Sequence, residues 1–194
     1  QLLSASADKT AKLWNVNEAK ALRDFAGHGD AVLALSLSKD GKTLATGSAD
    51  KTAKLWTVAD GKNTATFTGH GGPVQTVALA ADGSKVATGS ADKTVRAWDA
   101  TGRELQALSG AGGPVVGAAI SADGKTLFMA TSDNKLRSWT PAAVRVFAGH
   151  QGPVFAVAFT PKGDQVLTGS ADKTAKVFEV ATAKLVRSLD GHAD

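Results

Sequence analysis

The chain has 194 residues, no cysteine, and a net charge of +4 from 22 Lys and Arg against 18 Asp and Glu. Without cysteine it forms no disulfide, binds no metal through thiolate and carries no cysteine nucleophile. Its 43% hydrophobic and 21% charged residues are those of an ordinary globular protein, with no charge block that would stay disordered and no apolar run near the roughly 20 residues of a membrane span.

In chain order, a motif appears almost at once and keeps returning. Thr46 to Trp56 is repeated nearly unchanged at Thr88 to Trp98 and, ending in Phe, at Thr168 to Phe178. A looser copy spans Ala5 to Trp14 and a degraded one Ala130 to Trp139. Their acidic residues, Asp8, Asp50, Asp92, Asp133 and Asp172, follow at steps of 42, 42, 41 and 39 residues. A period of about 40 residues means one supersecondary unit copied along a single array.

The chain opens with Gln1-Leu2-Leu3-Ser4, already inside a repeat, so its natural start is expected upstream. Segment 1–27 accommodates the last three strands, b, c and d, of a first unit. The next unit, 31–68, is the clearest. Ala31 to Leu37 alternates as strand a, Lys39-Asp40-Gly41-Lys42 supplies an Asp-Gly hairpin turn, and strand b runs Thr43 to Ser48. A tight turn at 49–51 leads to strand c (Thr52 to Val58), and a further turn at 59–61 to strand d (Asn63 to Thr68), an antiparallel meander. The same order fits 74–109, 115–148 and 154–190, and the chain stops at Gly191-His192 where another strand a would begin. Strand a is expected to carry one bulky face (Leu33, Leu35, Leu37; Gln75, Val77, Leu79; Val116, Ala118, Ile120; Phe155, Val157, Phe159) and one small face (Ala34, Ser36 and their counterparts), so that copies stack face to face.

The Gly-His pairs (Gly27-His28, Gly69-His70, Gly149-His150, Gly191-His192), the Pro-Val entering strand a, and the Ser-Ala-Asp-Lys-Thr…Trp segments together resemble the WD40 repeat family across essentially the whole chain. Only Trp98-Asp99 keeps the eponymous dipeptide. The resemblance implies an all-β fold: a β-propeller of four-stranded antiparallel blades, here four full blades preceded by strands b, c and d of another. It implies a non-catalytic scaffold for protein–protein interaction. The alternative is a propeller region of a larger regulatory or enzymatic protein whose chemistry lies elsewhere. Uncovered faces of the end blades invite self-association.

Recurring His, Ser or Thr, and Asp imitate a hydrolase triad. Catalysis needs one exposed nucleophile, one base and one oxyanion hole, whereas these residues recur in every unit. The resemblance implies structural hydrogen-bond sets: His28, Thr46, Asp50 and Trp56; His70, Thr88, Asp92 and Trp98; His150, Thr168 and Asp172. The third ends in Phe178, which lacks the donor. Gly110-Ala111 replaces Gly-His, so Asp133 and Trp139 are expected to lack their His partner and their blade to be the loosest. The four His fall one per unit, too far apart for a zinc site, so no metal or cofactor is expected.

A lysine is expected in each motif turn (Lys9, Lys51, Lys93, Lys135, Lys173), and the four Trp occupy a packing position, so nucleic acid and membrane are not expected partners. The candidate protein-binding residues are Asp30, Lys51, Lys93, Lys135, Arg137, Gln151 and Lys173. The unit with Met129, Asn134 and Arg137 departs most from the repeat. It runs 10 residues from Trp139 to Gly149 against 13 from Trp56 to Gly69, because Thr140-Pro141 shortens its c-to-d connection. Anything specific is expected there.

Overall fold

The computed structural model describes residues 1–121, 124–140 and 143–191. Pro141 and His192, named above, lie outside them. The regular elements among the described residues are all strands. β1 (Leu2–Ala5), β2 (Thr10–Asn15) and β3 (Lys20–Ala26) make the three-stranded blade I. Blade II is β4 (Val32–Leu37), β5 (Thr43–Ser48), β6 (Ala53–Thr57) and β7 (Asn63–Phe67). Blade III is β8 (Val74–Leu79), β9 (Lys85–Ser90), β10 (Val95–Asp99) and β11 (Glu104–Leu108). Blade IV is β12 (Val115–Ile120), β13 (Leu127–Thr131), β14 (Lys135–Thr140) and β15 (Ala143–Phe147). Blade V is β16 (Val154–Phe159), β17 (Gln165–Ser170), β18 (Thr174–Glu179) and β19 (Leu185–Asp190). Within each blade, neighbours in sequence pair antiparallel. The result is a β-propeller arc of four full blades and one partial blade, not closed into a ring.

The a strands neighbour one another, β4 with β8, β8 with β12 and β12 with β16, which places them innermost. The core lies between blades, because a sheet with apolar residues on both faces must be covered on both. Leu55, Phe67 and Ala45 of blade II meet Val74, Val77, Leu79 and Trp98 of blade III. Leu13 and Phe25 of blade I meet Leu44 and Trp56 of blade II. An aromatic on strand d repeatedly packs on the aromatic of the next strand c: Phe25 on Trp56 at 6.0 Å, Phe67 on Trp98 at 5.4 Å and Phe147 on Phe178 at 5.7 Å between ring centroids. Blade III supplies Leu108 at this position, and it packs in the cluster of Trp139.

Simple alternation along strand a does not survive. In all four a strands the register slips after the first residue, leaving Leu33, Gln75, Val116 and Phe155 opposite no residue of strand b. The bulge puts the leading valine on the bulky face: Val74 packs with Val77 and Leu79 against blade II. Leu33 and Phe155 are displaced from that face and are half-exposed, at 46% and 55%. An extra residue shifts every later side chain to the other face, which a period-2 reading cannot anticipate.

The b-to-c turn is a short hairpin closed by a residue with positive φ, namely Lys9, Lys51, Lys93 and Lys173 at 66° to 74°. In blade IV that residue is Asn134, at 67°, and not Lys135, which opens β14. The expected row of five turn lysines is therefore four lysines and an asparagine, a residue that tolerates the left-handed region better.

Candidate functional site

Each blade-to-blade connection enters through a glycine whose φ (143° at Gly27, 137° at Gly69, 142° at Gly149) suits no side chain, and this turns the next residue inward. His28, His70 and His150 are accordingly buried. His28 Nδ1 is 2.8 Å from Asp50 Oδ2, its Nε2 is 2.7 Å from Thr46 Oγ1, and the Trp56 indole N–H donates to the same hydroxyl oxygen at 2.8 Å. An ionised carboxylate only accepts and an indole only donates, so the proton order follows: Trp56 donates to Thr46, Thr46 to His28 Nε2, and His28 Nδ1–H to Asp50. In blade III the corresponding distances are 3.0 Å (His70–Asp92), 2.7 Å (His70–Thr88) and 2.9 Å (Trp98–Thr88). In blade V, His150 lies 2.8 Å from both Asp172 and Thr168, and Thr168 also bonds the Lys176 carbonyl at 3.1 Å.

Three further donors went unrecognised in the sequence. Thr52, Thr94 and Thr174 donate through Oγ1 to the Asp Oδ1 at 2.6, 2.6 and 2.7 Å. The backbone N–H groups of Gly29, Gly71 and Gln151 donate to Oδ2 at 2.8, 2.8 and 2.9 Å. The signal was present, since threonine follows Asp-Lys in four copies and is replaced by Lys135 in the fifth. Ser48 takes no part in the chain; its hydroxyl donates to the Asp30 carbonyl at 3.0 Å. Thr46 is fully buried and shared between His28 and Trp56, so this set presents no nucleophile to a substrate.

Burial by itself would raise the Asp50 and Asp92 carboxyls. Hydrogen bonds from Thr52 or Thr94, the glycine N–H and the histidine outweigh it and hold both at about 2. Burial pushes His28 and His70 below the usual histidine value, against the pull of Asp50 and Asp92. The imidazoles are thus neutral in the fold and take up protons on unfolding, so their contribution to stability is full above pH 6.5 and falls as pH drops below it. The aspartates have depressed folded values, so their contribution is present above about pH 4 and is lost as pH falls toward 2. The melting temperature is expected to decline in two stages, below pH 6.5 and again below pH 4. A melting temperature unchanged between pH 7 and 5 would contradict the neutral buried histidines.

Blade IV builds a different set. Ala111 stands where the other blades have His, and Met129, fully buried, stands where they have Thr46 or Thr88. Arg137 turns inward instead: Nη1 donates to Thr131 Oγ1 at 2.7 Å and to Asp133 Oδ1 at 3.0 Å, and Nη2 to Asp133 Oδ2 at 2.5 Å. Thr131 also donates to Asp133. The bond to Arg137 is the main reason the Asp133 carboxyl sits at about 2. Asp133 has no histidine beside it and pairs with Arg137 in its place. One expectation is corrected here: Arg137 is not available to a binding protein, being 8% exposed with its guanidinium engaged internally. The clue was positional: Arg137 falls where Lys12, Lys54, Arg96 and Lys176 fall, and in blades I to III that cation points to strand d, as in the Lys12–Asp24 and Arg96–Glu104 pairs. The Trp139 indole nitrogen makes no hydrogen bond among the described residues.

The other candidate contact residues remain at the surface. Asp30, Lys51, Lys93, Lys135, Gln151 and Lys173 are exposed, Asp30 and Gln151 on connections between blades and the lysines at or next to the b-to-c turns. Asn134 Nδ2 reaches the Gln151 carbonyl at 3.2 Å, joining the blade IV turn to the next connection. Among the described residues there is no cluster of three or more His, Asp or Glu fit to hold a metal ion, and no helix long and apolar enough to cross a membrane.

The WD40 family, described as "WD domain, G-beta repeat", matches at residues 19–57, 61–99, 102–140 and 142–179, most of the chain. The chain belongs to the WD40 family. Proteins built of WD40 repeats are protein-interaction scaffolds and generally non-catalytic. Each matched repeat starts in strand d of one blade and ends in strand c of the next, so His28 shares a repeat with Thr46, Asp50 and Trp56 although a blade boundary separates them. The chain is also similar to proteins named "Ribosome biogenesis protein BOP1 homolog" from Drosophila grimshawi and Drosophila ananassae, each 40% identical over 45 residues. That segment is 23% of this chain and 6% of the relatives' length.

Proposed function

We propose that this WD40 chain is a non-catalytic scaffold that binds a protein through the surface bearing the blade-to-blade connections and b-to-c turns. The observation that carries this reading is the hydrogen-bond set in blades II, III and V. His28, His70 and His150 fix the connection, and Asp50, Asp92 and Asp172 fix the turn beside it. Such bonds hold the exposed residues Asp30, Lys51, Lys93, Gln151 and Lys173 on a rigid frame, which lowers the ordering cost of binding, and Lys135 lies beside the Arg137–Asp133 pair of blade IV. The 45-residue likeness to ribosome biogenesis proteins spans about one repeat, so it supports the repeat and not a role in that process.

The sheet faces at the two ends of the arc support a second reading, in which copies of the chain associate or further sequence covers them. A Cβ placed on Gly47 or Gly89 would meet the next blade's valine at 2.9 or 2.5 Å, whereas on Gly169 it would meet only Ala156, at 3.7 Å. Leu167 beside it is 41% exposed. Sedimentation velocity over a range of concentrations tests this, and a monomer that never associates overturns self-association. Capture of a protein partner that is lost in Lys51→Glu/Lys93→Glu, with melting temperature unchanged, supports the scaffold surface. Capture undiminished by those changes places the contact elsewhere, and labelling by a serine-directed probe overturns the non-catalytic reading.

A further inference from the structure

Blade IV lacks the devices that protect the outer edges of its sister blades. Strand d is outermost in every blade, so one of its edges presents N–H and C=O groups that no strand of the blade pairs. In blades I, II, III and V the pairing of strand c with strand d slips by one residue, at Leu13/Trp14, Leu55/Trp56, Ala97/Trp98 and Val177/Phe178. The extra residue, Leu22, Thr64, Leu105 or Val186, bulges strand d and makes its edge irregular. β15 has no such bulge. Its pairing with β14 runs unbroken from Leu136 opposite Phe147 to Thr140 opposite Ala143, and among the described strands it pairs with β14 alone.

The second device is polar. Across from the cation of strand c, blades I, II and V carry Asp24, Thr66 and Ser188, bonded to Lys12, Lys54 and Lys176 at 2.7, 3.1 and 2.8 Å, and in blade III Arg96 reaches Glu104 at 2.5 Å. In blade IV the cation is Arg137, turned inward onto Asp133, and the residue across from it is Val146, 48% exposed. A regular edge beside an exposed β-branched side chain is a template for a further strand. On the other face of β15, Arg145 is exposed and its Nη1 donates to the Val180 carbonyl at 3.0 Å and to that of Ala181, in a cleft also lined by Asp164 and Glu179. That face holds both signs of charge, so an incoming strand needs no acid there. A second copy of β15 is disfavoured as that strand, because full antiparallel overlap would set Arg145 opposite Arg145.

We propose that the outer edge of β15 binds an extended, uncharged peptide segment of a partner protein by strand addition, with a β-branched residue of the segment opposite Val146. This site is separate from the surface of connections and turns, and Lys51→Glu/Lys93→Glu is expected to leave it unchanged, so the two readings fail independently. The probe is the acetylated, amidated peptide Ser-Thr-Val-Thr-Val-Thr-Ser, titrated into the isotope-labelled full chain and followed by amide chemical shifts. Binding is expected with a dissociation constant on the order of 0.5 mM, as suits a few main-chain hydrogen bonds, with the largest shifts along β15. Two further peptides carry N-methyl groups on alternate residues, one set each. An added strand bonds through one edge only, so one set is expected to weaken binding about tenfold or more and the other to change it less than about twofold. Val146→Lys, which returns a charge to the edge, is expected to weaken binding about fivefold with the melting temperature unchanged, and Val146→Ser, the residue type of blade V, about threefold. No binding at about tenfold the expected concentration, equal effects of the two methylated sets, or affinity unchanged in both Val146 variants would each overturn the proposal. A dimer of the chain that Val146→Lys dissociates would overturn it in favour of pairing between copies.

Discussion

Arg137→Ala is expected to lower the melting temperature by about 5–10 °C. Removing one partner of a buried pair leaves the other charge uncompensated and costs about 3–5 kcal/mol. The pair here is slightly open, with side-chain exposures of 9% for Arg137 and 18% for Asp133, so about 2–4 kcal/mol is appropriate. For a chain of this length each kcal/mol moves the midpoint by about 2–4 °C. Arg96→Ala is the control, since Arg96 holds the same repeat position but pairs with Glu104 nearer the surface, where the loss is about 0–1 kcal/mol. Arg137→Lys keeps the charge and loses the fork that reaches Thr131 and both Asp133 oxygens, so it falls between the two. Thermal unfolding of the three variants side by side decides the matter, and equal losses from Arg137→Ala and Arg96→Ala would show that the inward set does not hold the blade.

A second contrast lies between two glycines at one repeat position. A Cβ on Gly89 would approach Val115 Cγ1 at 2.5 Å and Thr76 Cγ2 at 2.7 Å, distances that real side chains do not reach, so Gly89→Ala forces blades III and IV apart. Overpacking of this kind costs about 1–3 kcal/mol and sometimes more. Gly169→Ala on blade V meets nothing closer than 3.7 Å, and alanine restricts the unfolded chain more than glycine does, which gives a change between neutral and a gain of about 0.5 kcal/mol. Urea unfolding measures both. A large loss at Gly169 would mean that another surface covers blade V in solution, so the same pair of variants reports on association.

Much of blades II, III and V was legible in the sequence, because three near-identical copies state the same local physics three times. Thr46 and not Ser48 meets the histidine because the two share one face of strand b and differ in position along it: Thr46 lies within reach of His28 and Trp56, and Ser48, two residues on, reaches the connection at Asp30. Arg137 was legible only as an irregularity. A cation at that position pairs along the outer strands of blades I to III, and its reversal in blade IV accompanies the replacement of His by Ala111, which leaves Asp133 without an imidazole. Lys135 was misplaced by a simple offset: Lys51, Lys93 and Lys173 stand one residue after the motif aspartate and Lys135 two, and φ of 67° assigns the turn position to Asn134.

The sequence by itself determined the repeat, the strand count and the meander within each blade, because all of these depend on spacing within one period and on turn chemistry, while the partners of the three histidines were implied only by the resemblance to the WD40 family. The tertiary structure decided what depends on neighbouring periods meeting in space. The bulge that moves Val74 onto the bulky face, the inward turn of Arg137 and the open face at Gly169 belong to the three-dimensional arrangement of strands and sheets. Side-chain packing between blades is set by volumes on two surfaces at once, and a one-dimensional period records only one of them.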